Sequence, residues 1–191
     1  MFRPDPNVFD EYNRAAERDR WPSRVDPALA FEAPELREAL AVWRKAASNR
    51  ALPLRTDMTP RLMKRFLSKV AVLDIVRAAG RSRFRVRLSG TALERTFGGM
   101  TGKFLDECLS EPFRSRWEET LKVPLLAGSA VRSIGRVEFR DQSYLMAETF
   151  YGPMGADIAA PDAMLIVVHT ETTKAPPPPV FKRPATVGSG T

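Results

Sequence analysis

Hydrophobic positions change their spacing along the chain, and each spacing predicts an element. From Pro34 onward, Leu36, Leu40, Trp43 and Ala47 recur at helical intervals while Arg37, Arg44 and Lys45 fall off that stripe. This predicts an amphipathic helix over residues 35–49, with Pro34 at a first-turn position and Glu35 beside it. A second helical start follows at Thr59-Pro60, with Leu62, Met63, Phe66 and Leu67 as its buried face. The period then drops to two. Residues 70–76 form a β-branched run broken by Asp74, Ala79-Gly80 supplies a turn, and residues 83–88 complete a hairpin. In its second strand Phe84, Val86 and Leu88 alternate with Arg83, Arg85 and Arg87, so one face enters a core and the other is cationic. A one-residue slip would bury three arginines, which pins the register.

Short helices and turns occupy residues 91–109. Ser110 and Pro112 then open a longer helix with Phe113, Trp117 and Leu121 on one side, ending near Pro124. Three further strands are predicted at about 131–139, 143–151 and 164–170. The order β, β, several helices, β, β, β predicts an α+β domain, an antiparallel sheet with the helical insert across one face. Residues 164–168 are apolar at every position, as a central strand covered on both faces must be. The insert covers one face. The other falls to the helix at 35–49, to a second copy of the chain, or to both, which predicts an N-terminal helical cap or a homodimer.

The two ends have a different composition. Residues 1–33 mix Pro, Asp, Glu, Arg and Asn with few aliphatics and are expected to be a mobile or loosely docked lead. Residues 175–191 contain Pro176 to Pro179 followed by Gly and Ser, which suits a short polyproline II piece and a flexible tail. The folded domain is thus expected over 34–174.

At 191 residues with 43% apolar content, the chain suits one domain with a real core. Its single cysteine, Cys108, forms no intramolecular disulfide. Residues 1–10 carry charge and two prolines where a signal peptide needs an apolar stretch, and nowhere do 18 apolar residues run together. The expectation is a cytoplasmic protein with no membrane span. The formal charge of +7 raises polyanion binding. Residues 1–33 hold five Lys/Arg against seven Asp/Glu, and the last 17 residues add only Lys182 and Arg183, so the excess sits on the folded part. The aromatics fall on helical or core-facing positions and do not interleave with the arginines, which argues against a nucleic-acid stacking platform.

Several segments carry a family likeness. Leu52-Pro53, Arg55 and Asp57-Met58-Thr59-Pro60 precede the first strand; residues 85–91 (Arg-Val-Arg-Leu-Ser-Gly-Thr), Phe97-Gly98 and Thr101-Gly102-Lys103 follow it. This layout, over roughly 33–172, resembles short bacterial PAS-domain proteins in which a helical lead precedes a single PAS-like unit. The resemblance implies a five-stranded antiparallel sheet with helices packed on one side. It also implies sensing and signal transduction, dimerisation and protein contact in place of turnover. No kinase or cyclase pattern is attached, so the output would pass to a protein partner.

Residues 98–103 invite a phosphate-loop reading, but Phe97 stands where the first glycine is needed and Phe104 replaces the Ser/Thr after the lysine. A turn needing positive φ explains the glycines. Cys108 lies in Asp106-Glu107-Cys108-Leu109, which does not match the Asn-Cys-Arg setting of flavin photochemistry in light-sensing PAS domains, and is expected to be a small buried residue. No residues form a catalytic or metal constellation, and no cofactor is assigned. Candidate ligand-binding residues are Arg87, whose guanidinium fork could hold a carboxylate or phosphate; Phe97, Phe104 and Trp117, which would line a cavity beside Phe113; and His169. For the other arginines of that strand, and against a ligand role for Arg87, the competing expectation is pairing with acids on neighbouring strands such as Glu138 or Glu148. His169, near the end of a buried strand, equally suits a satisfied structural histidine.

Overall fold

A computed structural model of the chain describes residues 3–78, 80–137 and 145–172. Its helices are α1 (Val8–Arg18), α2 (Pro34–Ala47), α3 (Thr91–Phe97), α4 (Leu105–Cys108) and α5 (Phe113–Ala127). Its strands are β1 (Ser23–Asp26), β2 (Val70–Ala78), β3 (Arg81–Ser89), β4 (Val131–Arg136), β5 (Leu145–Met154) and β6 (Ala163–Thr172). All pair antiparallel in one six-stranded sheet ordered β1-β4-β5-β6-β2-β3. Five strands match the predicted order, and β1 adds a sixth from the N-terminal segment.

β6 lies between β5 and β2, and its alternation divides the interior in two. Met164, Ile166 and Val168 enter one hydrophobic cluster, and Ala163, Leu165 and Val167 enter the other. The first cluster is roofed by α1, α3, α4 and α5. The second is closed by α2, whose Leu36, Ala39, Leu40, Trp43 and Ala47 are buried. The outer face therefore takes the N-terminal helical cap. Trp43 Nε1 donates to the Pro153 carbonyl at 3.1 Å. This approach needs glycine at 152, where a Cβ would stand 2.7 Å from the Trp43 ring.

The sequence differs from the structure in four places. First, the expected mobile lead is built into the domain. Val8, Tyr12 and Ala16 form a buried stripe on α1, and Tyr12 packs edge-on to Trp21 with ring centroids 5.5 Å apart. A stripe of one aromatic and two small residues is too sparse to outweigh the polar composition in sequence, yet it suffices against a preformed sheet. The Asn13 side-chain amide caps the outer edge of β1, donating to the Val25 carbonyl at 2.9 Å and accepting from the Val25 N–H at 3.0 Å; this shields an edge strand.

Second, residues 60–66 form successive turns instead of a helix, with Met63 and Phe66 buried but Leu62 47% exposed. Third, strict alternation in β3 stops at Arg87. Leu73 pairs with Val86 but Val72 pairs with Leu88, leaving Arg87 as the extra residue of a bulge. Phe84 and Val86 consequently enter the inner cluster while Leu88 packs against the outer one. Fourth, α5 runs past Pro124, which is buried, to Gly128 in the left-handed region (φ 61°). The proline removes one backbone bond, but Val123 and Ala127, which flank it, keep the last turn packed. The Pro-rich tail at 175–191, Glu138 and the turn residue Ala79 lie outside the described residues.

One buried ion pair joins the lead, α2 and the sheet. Arg132 on β4 is 6% exposed and Glu148 on β5 is 8% exposed. Arg132 Nε donates to Glu148 Oε1 at 2.6 Å, and its Nη1 donates to Asp26 on β1 at 3.0 Å. Glu148 also accepts the backbone amides of Glu32 and Ala33, each at 2.9 Å, just ahead of α2. Burial alone would raise the Glu148 carboxyl, but these amides and the guanidinium outweigh it and hold the carboxyl below its ordinary range. Glu148→Ala is expected to destabilise the fold by about 3–5 kcal/mol in urea denaturation, because Arg132 is left buried with its main partner gone. Replacing both residues, as Arg132→Met with Glu148→Leu, is expected to recover part of that loss.

Candidate functional site

A cavity of about 110 Å³ lies between α5 and the inner face of the sheet. α5 presents Phe113, Arg116 and Trp117 to it because positions three and four apart share a helix face. α3 adds Phe97, whose ring meets Trp117 edge-on with centroids 5.7 Å apart. Ile166 and Val168 from β6 form an apolar floor. The β4 and β5 side is polar, with Ser133, Arg136, Thr149 and Tyr151. Burial pushes the Tyr151 phenol up to about 12, although the Ser133 and Thr149 side chains hydrogen-bond it. Arg136 Nη1 is buried with no hydrogen-bond partner among the described residues.

The lead closes one wall of this cavity through Pro22 and Ser23. Gly135 allows the approach, since a Cβ there would stand 2.7 Å from the Pro22 carbonyl oxygen and Ser23. Tyr12 ties the wall in place: its hydroxyl is 2.9 Å from Ser23 Oγ and 2.8 Å from Thr120 Oγ1, joining α1, β1 and α5. A cavity so built can hold a small molecule with an apolar body and a polar end. Among the described residues, no group of His, Cys, Asp and Glu is arranged to hold a metal ion.

Of the five residues singled out in sequence, the structure brings Phe97 and Trp117 together at the cavity and leaves three elsewhere. Phe104 lies beneath the Arg83 guanidinium, 3.8 Å from ring centroid to Cζ. Arg87 sits on the β3 bulge, half exposed, and donates to Asp74 on β2 at 3.1 Å. His169 faces the α2 side of the sheet. The rest of the arginine strand is also engaged. Arg83 grips Asp106 through two bonds of 2.7 and 2.8 Å, and Arg85 Nε donates to the Gly102 carbonyl at 3.1 Å. Pairing with acids is therefore the outcome for Arg83 and Arg87, but Glu148 is not one of the acids, being held by Arg132. Gly98 and Gly102 adopt φ of 82° and 86°, which accounts for the glycines of the 98–103 segment. Cys108 is part-buried, its thiol pushed up by burial, and does not line the cavity.

His169 belongs to a second cluster that ties α2 to the sheet. Its Nδ1 lies 2.6 Å from Glu35 Oε1 and its Nε2 lies 2.9 Å from Glu171 Oε1; Glu35 also receives the Lys69 ammonium. Burial opposes charging of either group, yet hydrogen bonds from Lys69, its own amide and His169 hold Glu35 at about 2. Bonds to Glu171 and Glu35 likewise raise His169 above its ordinary value despite burial.

Sequence reasoning missed Arg136, Ser133, Thr149 and Tyr151, along with the Pro22–Ser23 wall. A usable signal existed for three of these: Ser133, Thr149 and Tyr151 are hydrogen-bonding residues at alternate positions within predicted strands. Nothing in the sequence marks Pro22 and Ser23, since β1 finds its partner β4 more than a hundred residues away.

An antiparallel sheet roofed on one side by short helices and one long helix, with a cavity beneath the long one, places the chain among small α+β sensory modules. It belongs to the PAS-domain family, whose model matches residues 31–167. Among solved structures, an RNA-binding light-oxygen-voltage receptor is similar at 16% identity, with 61% of this chain and 33% of that chain covered and a TM-score of 0.38. The chain thus spans about a third of that receptor's length. No curated protein matches the sequence. Among the described residues, no helix is long and apolar enough to cross a membrane.

The His169 cluster sets a pH dependence. Because the histidine is raised above 6.5 in the folded state, its contribution is complete below that pH and is lost as pH rises through the folded value. Glu35 acts with the opposite sign: its contribution is complete above 4.5 and is lost as pH falls toward about 2. The stability advantage of the native chain over His169→Gln, measured by urea denaturation, is expected to be largest near pH 6 and to shrink through pH 8.

Proposed function

We propose that this protein is a non-enzymatic sensory and regulatory module that takes a small organic ligand into the cavity under α5 and passes the occupied state to a protein partner through its N-terminal lead. The observation that carries this reading is the shared wall. Pro22 and Ser23 line the cavity, and the Tyr12 hydroxyl links that wall to α5. An occupant pressing on this wall acts on β1 and α1 together, so occupancy alters how firmly the lead is held. A conformational equilibrium responds to a ligand only through contacts that differ between its two states, and the lead supplies such contacts. Among the described residues that line the cavity, no nucleophile is paired with a base, which is in keeping with binding. On this reading the protein works in the cytoplasm, and its partner is a signalling protein or a second copy of the chain, docked at the lead; the sheet itself needs no second copy, since α2 already covers its outer face.

The rival reading, nucleic-acid binding through the arginine strand, loses its main feature, because Arg83, Arg85 and Arg87 are each committed within the fold.

Native mass spectrometry of the purified protein, together with thermal shifts against a panel of small metabolites, is expected to find at least one compound that raises the melting temperature. Ala147→Phe, which fills the cavity from β5, is expected to abolish the shift. Hydrogen exchange at residues 8–26 is expected to change on binding. A hit whose binding survives Ala147→Phe, or a panel with no hit and no retained mass, would overturn the proposal.

A further inference from the structure

We infer that the cavity selects a small monocarboxylate with a flat apolar body, and that Arg136 is the residue that holds its carboxylate. The inference rests on the ligand-binding reading above and specifies its chemistry.

Arg136 Nη1 is buried against the cavity and makes no hydrogen bond among the described residues. A buried donor left unsatisfied is destabilising, and folded proteins seldom keep one without a use for it. Among the described residues, those lining the cavity include two arginines and not one Asp, Glu or Lys, which makes this wall cationic. Arg116, the other arginine, also buries its Nε at the cavity but is engaged through a further contact. One guanidinium seeking an acceptor calls for one anionic group, and the fork geometry of arginine matches a carboxylate with two parallel bonds. The hydroxyls of Ser133 and Thr149 on the same polar side can add hydrogen bonds to the bound head. A phosphate would bring up to two charges and more acceptors than a single guanidinium can serve.

The opposite side of the cavity selects the body. Phe97 and Trp117 meet edge-on at 77° above Ile166 and Val168. Such walls favour a ring or a short planar chain over a polyhydroxylated one, whose hydroxyls would lose water without finding partners.

The probes are matched pairs that differ in charge alone: benzoate with benzamide, cinnamate with cinnamamide, and hexanoate with hexanamide, titrated by calorimetry against the full chain. At least one aryl acid is expected to bind about tenfold or more tighter than its amide, as expected for a hydrogen bond between charged groups. Arg136→Gln is expected to reduce that acid-to-amide ratio to about one while leaving amide binding in place, and Arg136→Lys to retain part of it. Arg136→Met removes the unsatisfied donor but keeps the stem, so the unliganded variant is expected to melt about 2–4 °C higher than the native chain. A lower melting temperature would show that the guanidinium is already satisfied and would overturn the assignment. Acids and amides that bind equally, and are both lost in Ala147→Phe, would overturn the charge selection while leaving the ligand-sensing reading intact. If no pair binds, both fall.

Discussion

A strand segment that is apolar at every position has to be covered twice, and residues 163–168 of β6 are such a segment. Met164, Ile166 and Val168 need a roof on one side while Ala163, Leu165 and Val167 need one on the other. The helices between β3 and β4 form one roof and α2 forms the second. Each covers Val, Leu, Ile or Met side chains whose burial contributes about 1.5–3 kcal/mol apiece relative to leaving them in water. Strand order, the position of α2 and the burial of Trp43 over Gly152 all follow from this requirement.

The second organising element is polar. Arg132 and Glu148 are buried together, and a buried ion pair adds little net stability compared with an apolar pair of the same shape. Its consequence is geometric. Through Asp26 it holds β1, and through the amides of Glu32 and Ala33 it fixes the entry to α2, so one pair sets how two N-terminal segments meet the sheet. The His169–Glu35–Lys69 cluster repeats this arrangement at the same helix, tying Glu35 in the first turn of α2 to β6. α2 is thus held by charge along its start and by apolar packing along its length. The cavity contrasts with both clusters: its polar side holds a buried guanidinium donor with no hydrogen-bond partner among the described residues, and its wall is borrowed from the lead.

The aromatic half of the site was legible because Phe97 and Trp117 occupy helix positions whose spacing points inward. The cationic half was not. Arg87 lies in a regular alternation in the sequence, but the bulge at that position places it against Asp74; Arg136, which lies in no recognisable pattern, reaches the cavity at the end of β4. A bulge is a property of two paired strands, so one strand's alternation does not announce it. His169 was placed on its strand in sequence, but which face it takes depended on the pairing of β6 with β5.

Local spacing by itself determined the helix at 34–47, the β2–β3 hairpin, the helix carrying Trp117, the antiparallel order and the need for two roofs, because each is encoded in residues a few positions apart. Only the tertiary structure decided that the polar N-terminal segment docks as α1 and β1, that a bulge redirects β3, and that Arg136, Ser133, Thr149 and Pro22 converge on one cavity. Those outcomes depend on contacts between different segments, more than a hundred residues apart for α1 and β1, and periodicity within a segment carries no record of which other surface will meet it.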